Sequence, residues 1–272
     1  MTDPLARSAT HATSLLKGLR ILQLFSRERP EWRVGEIAKA IGTAKSTVSR
    51  IARTLEAEGF LVGRPDREGY RLGLRLWHLG SQAIADVSDF PRRALPHLEE
   101  LVRRVQQSVQ AVILDGTEVV YVQKVDAQHS LRTYTQLGTR FPSYCSATGK
   151  ALLAFQPAEV AERVIRAGLK PYTERTVTKP ALLRDELERV RKRGYAMNKG
   201  EWRADIGGIA APVFDRTGGA IGAIGTTMPL TQYPRDASSP IIGAVVDAAQ
   251  QLSSELGFLR QQSPATARRR GR

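Results

Sequence analysis

The first 73 residues constrain this chain most. Three short amphipathic segments, the last two separated by a single glycine and two further residues, run into a basic hairpin. Leu15, Leu16, Leu19, Leu22 and Phe25 recur at three- and four-residue spacing, so residues 14–26 read as a helix with Ser14 as its N-cap. Val34, Ile37, Ala38 and Ile41 mark a second helix, Val34–Ile41. Gly42 breaks it, and the chain turns through Thr43 and Ala44 into a third helix at residues 45–58, apolar at Val48, Ile51, Ala52 and Leu55 and ended by Gly59. Extended runs at 60–64 and 69–72, joined by Pro65, Asp66, Arg67 and Glu68, form the hairpin.

Helix, turn, helix and hairpin in that order suit DNA. The second helix of such a pair can lie in a major groove about 12 Å wide, with its N-terminal side chains facing base edges. Lys45, Ser46, Thr47 and Ser49 supply short donors and acceptors there, and Arg50 and Arg53 add long cations on the exposed side. Arg64, Arg67 and Arg71 would sit like a wing near the phosphates. The bland reading is a three-helix packing module with a solvated face; the short turn at Gly42 and the basic hairpin favour DNA. Leu76, Leu79, Ala83 and Val87 then continue at helical spacing, which makes residues 74–89 a connecting helix.

The rest alternates between helix and strand. Helices are expected at 92–107, 157–167, Pro180–Arg193 and from Ser239 or Pro240 to 256. Strands are expected at 109–114, 119–125, near 131–134, at 195–199, at Ile206–Phe214 and at 220–226, and LGTRFPSYCSATGKALLAF passes from Gly and Pro punctuation into a further helix. Hairpin-joined antiparallel strands with helices before, between and after imply an α+β sheet domain, and thus a two-domain α+β chain.

Composition narrows the class. With 272 residues, 42% hydrophobic and 6% aromatic, and no apolar run of eighteen, the chain is expected to be a soluble cytoplasmic protein without a membrane partner. Lys and Arg number 41 against 27 acidic residues, for a net charge of +14, which favours a polyanionic partner. The excess is +4 over residues 1–90, +5 over 91–259 and +5 over 260–272 alone, so the tail is read as a disordered basic segment. The single cysteine, Cys145, excludes an intramolecular disulfide, and one cysteine with four scattered histidines gives no zinc-ligand spacing. Thr148-Gly149-Lys150 is not a phosphate-binding loop, because Ala151 replaces the magnesium-binding hydroxyl and Tyr144 the first glycine. The glycines of GGAIGAIG do not open a helix as a dinucleotide fingerprint requires, so no metal or nucleotide cofactor is expected.

Four runs taken together are diagnostic: VGEIAKAIGTAKSTVSRIARTLEAEGFL, RLGLRLWHLG, GTRFPSYCSATGKALLA and GYAMNKGEWRADIGGIAAPVFDRTGGAIGAIGTTMP. In this order they resemble the IclR family of bacterial transcriptional regulators over about residues 12–258. The resemblance implies a winged helix-turn-helix domain (12–73), a linker helix (74–89), a GAF-like effector-binding domain (90–258) and a basic tail (259–272). It further implies a dimer or dimer of dimers, acting as a repressor or activator, on a double-stranded operator expected to be pseudo-palindromic.

In similar proteins the effector lies against the helix after the Gly-x-Arg-x-Pro turn, here Ser146, Ala147, Thr148 and Gly149. Free N–H groups and the helix dipole at such a start favour a carboxylate, and Arg140 is expected to add charge. Asn198, Gly208, Gly225 and Thr227 are the other expected effector contacts. This chain has Gly208 where the family has a small Cys, Ser or Ala, Asp205 where it has Gly, and Asn198 where an acidic residue is common. Glycine at both 208 and 225 is expected to leave room for an organic acid larger than two or three carbons, aromatic acids included. The chain is thus read as a non-enzymatic repressor controlled by a small organic acid. Two alternatives stand beside that reading: a Cys145- or Ser146-dependent hydrolase or transferase with an accessory DNA-binding module, and a ligand-blind DNA binder using its tail.

Overall fold

The computed structural model describes residues 4–26, 28–64, 69–86, 89–127, 136–234, 236 and 238–259. They divide into two units, up to Val87 and from Ser88 onward. Arg67 and the rest of the hairpin tip, the strand expected near 131–134 and residues 260–272 lie outside the described residues.

The first unit contains α1 (Pro4–Gln23), β1 (Glu31–Arg33), α2 (Val34–Ile41), α3 (Lys45–Ala57), β2 (Leu61–Gly63), β3 (Gly69–Leu72) and α4 (Leu74–Asp86). Ile21, Ile37, Val48, Ala52 and Leu61 are buried together as its core. Gly42 ends α2 in the left-handed region (φ 64°), where a side chain would be strained, and its turn lets Thr43 N–H reach the Ala38 carbonyl at 3.0 Å. Two expectations change here. α1 begins ten residues before Ser14, so Ser14 lies inside the helix and does not cap it. The stripe chosen for burial also shifts: Leu15, Leu16 and Leu19 are exposed, and Ile21 is the buried residue. β1 is additional; three residues are too few to show a two-residue period, yet Glu31–Arg33 pairs with β3 to make the sheet order β1-β3-β2.

The second unit runs α5 (Phe90–Val105), β4 (Ser108–Asp115), β5 (Glu118–Val125), β6 (Arg140–Pro142), a 3₁₀ turn at Ser143–Cys145, α6 (Ala147–Leu153), α7 (Ala158–Ala167), α8 (Pro180–Arg193), β7 (Ala196–Lys199), β8 (Ile206–Phe214), β9 (Ala220–Pro229), a 3₁₀ turn at Leu230–Gln232 and α9 (Pro240–Glu255). Its six described strands form one antiparallel sheet in the order β6-β5-β4-β9-β8-β7. The two-residue strand period divides its side chains between two cores. Ile209, Ala211, Val213 and Ile224 pack with α5 and α9, whereas Val112, Ala210 and Ala223 pack with α6, α7 and α8. β9 continues past the expected Thr226 because Thr227, Met228 and Pro229 still pair with β8. The whole is the two-domain α+β architecture anticipated from the sequence.

Candidate functional site

In the first unit α3 is amphipathic by construction. Val48, Ile51 and Ala52 are buried, while Lys45, Ser46, Arg50 and Arg53 are exposed and Thr47 and Ser49 half-buried. Ser46, Arg50 and Arg53 fall at i, i+4 and i+7 and so share one face. The hairpin is tied to this helix: Glu56 of α3 accepts the Gly63 N–H at 3.0 Å, and a Cβ at Gly63 would lie 2.4 Å from the same carboxylate oxygen. Arg71 and Arg64 are exposed on the hairpin, with Arg64 paired to Glu31 of β1.

In the second unit a cavity of about 200 Å³ opens between the start of α6 and the strands β7, β8 and β9. Ser146, Ala147, Thr148, Asn198, Gly208 and Thr227 line it, and so do Tyr121, Phe141, Trp202 and Arg203, which sequence reasoning missed. Tyr121 and Phe141 rings lie 4.8 Å apart and Phe141 and Trp202 5.7 Å, giving one wall of three contiguous aromatic rings. A faint signal existed: Trp202 stands between Gly200-Glu201 and Arg203, within a chain only 6% aromatic.

Three expected contacts, Gly149, Arg140 and Gly225, fall outside the cavity. Arg140 is committed to the β4–β5 turn, bonding Asp115 at 2.6 Å and Glu118 at 3.1 Å, and the two carboxylates raise its pKa further. Gly225 is covered by the neighbouring strand, since a Cβ there would meet the Ile209 carbonyl at 2.6 Å and the Ala210 Cβ at 2.8 Å. Gly208 does line the cavity, but a Cβ would already sit 2.8 Å from the Thr226 carbonyl. These glycines therefore permit close strand packing, and the expectation that both enlarge the cavity is corrected.

α6 has only seven residues, so its dipole is small. Ser146 Oγ caps it by accepting the Gly149 N–H at 3.1 Å, which leaves Ala147 and Thr148 as the first-turn donors beside the cavity. Asn198 is engaged at both ends: its Nδ2 donates to the Cys145 carbonyl and its Oδ1 accepts the Glu201 N–H at 3.0 Å. Gln110 donates to Thr227 Oγ1 at 2.9 Å. Cys145 is fully buried, and desolvation, with the Glu201 carboxylate, pushes its thiol up to about 12. Its Sγ and the Ser146 hydroxyl both point to the Pro142 carbonyl, and His97 bonds Glu255 at 3.1 Å. No described histidine is hydrogen-bonded to either hydroxyl or thiol, which is the arrangement an activated nucleophile requires.

Two residues after Thr148, α6 carries an ammonium that does not line the cavity. Lys150 is paired, and it is buried: its ammonium donates to Glu201 Oε1 at 2.6 Å and lies 3.7 Å from Glu186 Oε1. Burial pushes Glu201 above the usual carboxylate range despite that ammonium. Glu186 is also raised by burial, but Lys150, Arg189 and Arg193 outweigh this and hold it below its ordinary value.

Residues 14–65 match the IclR helix-turn-helix domain, and residues 82–254 match the C-terminal domain of the bacterial transcriptional regulator IclR. The chain is 32% identical over 247 residues to the transcriptional regulator KdgR of Escherichia coli, covering 90% of this chain and 93% of that protein. It is 33% identical over 252 residues to the glycerol operon regulatory protein of Streptomyces coelicolor, covering 92% and 98%. Among solved structures, the Thermotoga maritima IclR superposes with a TM-score of 0.75 at 28% identity, over 91% of this chain and all of that one. An IclR homologue from Microbacterium hydrocarbonoxydans, complexed with 4-hydroxybenzoate, gives 0.76 at 28% identity, over 89% and 98%. With both halves matched and relatives of this similarity spanning nearly the whole length, the chain belongs to the IclR family of DNA-binding bacterial transcriptional regulators.

Proposed function

We propose that this regulator is a homodimeric repressor that reads a pseudo-palindromic operator through α3 and leaves it on binding a monocyclic carboxylic acid in the second unit. The observation that carries the effector reading is the make-up of the cavity. It joins a wall of three aromatic rings to hydroxyl and N–H donors, no Asp or Glu is among its described lining residues, and its one arginine, Arg203, is paired with Asp205 at 3.1 Å just outside the lining. Such a surface suits a flat ring ending in an anion. Size supports the same class, because a cavity of roughly 150 Å³ accepts benzene, and about 200 Å³ adds room for one or two substituents. The 4-hydroxybenzoate carried by the similar Microbacterium protein is of this kind.

Titration with 4-hydroxybenzoate is expected to quench the fluorescence of Trp202, which forms part of the wall, and to release operator DNA in a gel-shift assay. 4-Hydroxybenzyl alcohol, which lacks the carboxylate, should do neither at the same concentration. Equal responses to both compounds would remove the anion from the reading, and a response to glyoxylate alone would remove the ring.

Support for the dimer comes from α4, where Leu74 is 84% and Trp77 76% exposed, three residues apart on one face of the helix. That apolar surface is better covered than left in water, and a two-fold dimer matches two half-sites about one helical turn, or a multiple, apart. Leu76 is half-buried on the same helix, and the Ala83 side chain lies outside the described residues. For the operator, Arg50→Ala and Ser46→Ala are expected to cost about 1–3 kcal/mol of discrimination between operator and scrambled DNA. Arg71→Ala should weaken both about equally, as a phosphate contact does. Fluorescence anisotropy on the two duplexes measures this; unchanged specificity in the α3 variants would show that another surface reads the bases.

A further inference from the structure

Two of the cavity's polypeptide walls are joined by one ion pair that lies outside the lining. Ser146, Ala147 and Thr148 make the first wall, and Lys150 follows them on α6. Asn198, Trp202 and Arg203 make the second, and Glu201 precedes the last two. Lys150 Nζ meets Glu201 Oε1 at 2.6 Å with 2% and 11% of the two side chains exposed, and neither residue lines the cavity. The segment carrying Glu201 is pinned at its backbone as well. Thr173 Oγ1 donates to the Gly200 carbonyl at 2.7 Å, Thr176 Oγ1 to the Glu201 carbonyl at 2.5 Å, and the Glu201 N–H to Asn198 Oδ1 at 3.0 Å. Asn198 in turn holds the Cys145 carbonyl, next to the first wall.

Stability alone does not account for such a pair. Buried ion pairs are commonly matched or bettered by apolar residues of similar volume. This one also leaves Glu201 Oε2 buried without a hydrogen-bond partner among the described residues. What the pair does supply is a direction-specific link between two walls that the chain reaches from opposite ends of α8. We infer that Lys150 and Glu201 act as a positioning brace, fixing the separation of the α6 wall from the 198–203 wall and so setting effector affinity without touching the effector. The affinity part rests on the function proposed above; the bracing of the wall does not.

The test uses the full chain with Lys150→Met, Glu201→Gln and the double variant. Isothermal titration with 4-hydroxybenzoate is run beside hydrogen exchange of peptides spanning residues 198–206. Each single variant is expected to raise Kd about tenfold, which corresponds to 1.4 kcal/mol, and to speed exchange across 198–206. In the double variant Glu201 is replaced by a neutral side chain and Glu186 keeps Arg189 and Arg193, so the melting temperature should recover most of its loss, while binding stays weak and exchange stays fast. Recovery of tight binding and slow exchange together with the melting temperature would reduce the pair to ordinary packing and overturn the brace. Should wild type not bind 4-hydroxybenzoate, the effector reading fails, and the exchange data still decide. Fast exchange in the double variant supports the brace; wild-type exchange refutes it.

Discussion

Lys150→Met is expected to lower the stability of the C-terminal unit by about 3–5 kcal/mol near pH 8, the cost of leaving one member of a buried ion pair uncompensated. For a unit of this size that is a fall of about 6–20 °C in Tm. Glu186 loses the same ammonium but keeps Arg189 and Arg193, so the charge left without a counter-ion is Glu201, whose pKa burial already raises. A carboxyl with a raised folded-state pKa adds stability below its unfolded pKa and loses it as pH rises through the folded value. The deficit of Lys150→Met should therefore shrink as pH falls into the carboxylate range, where Glu201 takes up a proton and no longer needs a cation. Scanning calorimetry from pH 8 downward checks both statements. A deficit that is small at pH 8, or that grows on acidification before the wild type itself begins to lose stability, would show that Lys150 is not the counter-charge of Glu201.

Gly149→Ala should be equally damaging for a steric reason. A Cβ at this position would lie 2.1 Å from the Ser143 carbonyl oxygen and 2.5 Å from the Ser143 Cα. Both are backbone atoms, so no rotamer relieves the overlap. Ser143 cannot step aside either, being fully buried with its hydroxyl bonded to the Thr117 carbonyl at 2.7 Å. The better helix propensity of alanine, worth about 1 kcal/mol over glycine, offsets only part of an overpacking cost of about 3 kcal/mol or more. α6 would have to move away from Ser143, taking Ser146, Ala147 and Thr148 with it, so 4-hydroxybenzoate binding should be lost along with stability. Gly243→Ala is the control. It lies in α9 with nothing within 4 Å of the new methyl group and should be neutral or stabilising by about 0.5–1 kcal/mol. Melting of Gly149→Ala within a degree of wild type would mean that the helix and the 3₁₀ turn do not pack as closely as described.

What the sequence determined by itself is whatever a local pattern encodes. α2, α8 and β8 have the expected boundaries because each is bracketed by punctuation: Gly42 after α2, Pro180 and Gly194 around α8, and an unbroken apolar run in β8. The exposed face of α3 was legible because Val48, Ile51 and Ala52 fix, at 3.6 residues per turn, which side must be polar. The four collinear motifs carried the family for the same reason, as local strings in a fixed order.

Tertiary structure alone decided the rest. Strand order and register bring Tyr121 of β5, Phe141 of β6 and Trp202 into one wall, and no window of sequence contains that neighbourhood. Register likewise covers Gly225 with Ala210. Arg140 looked free to bind an anion, but β5–β6 pairing places it beside Asp115 and Glu118, and the nearest carboxylates claim it. Lys150 meets Glu201 across 51 residues of chain. Local pattern states which side of an element is apolar; which charge is buried, and against what, depends on long-range packing, because desolvation and ion pairing act through space and not along the chain.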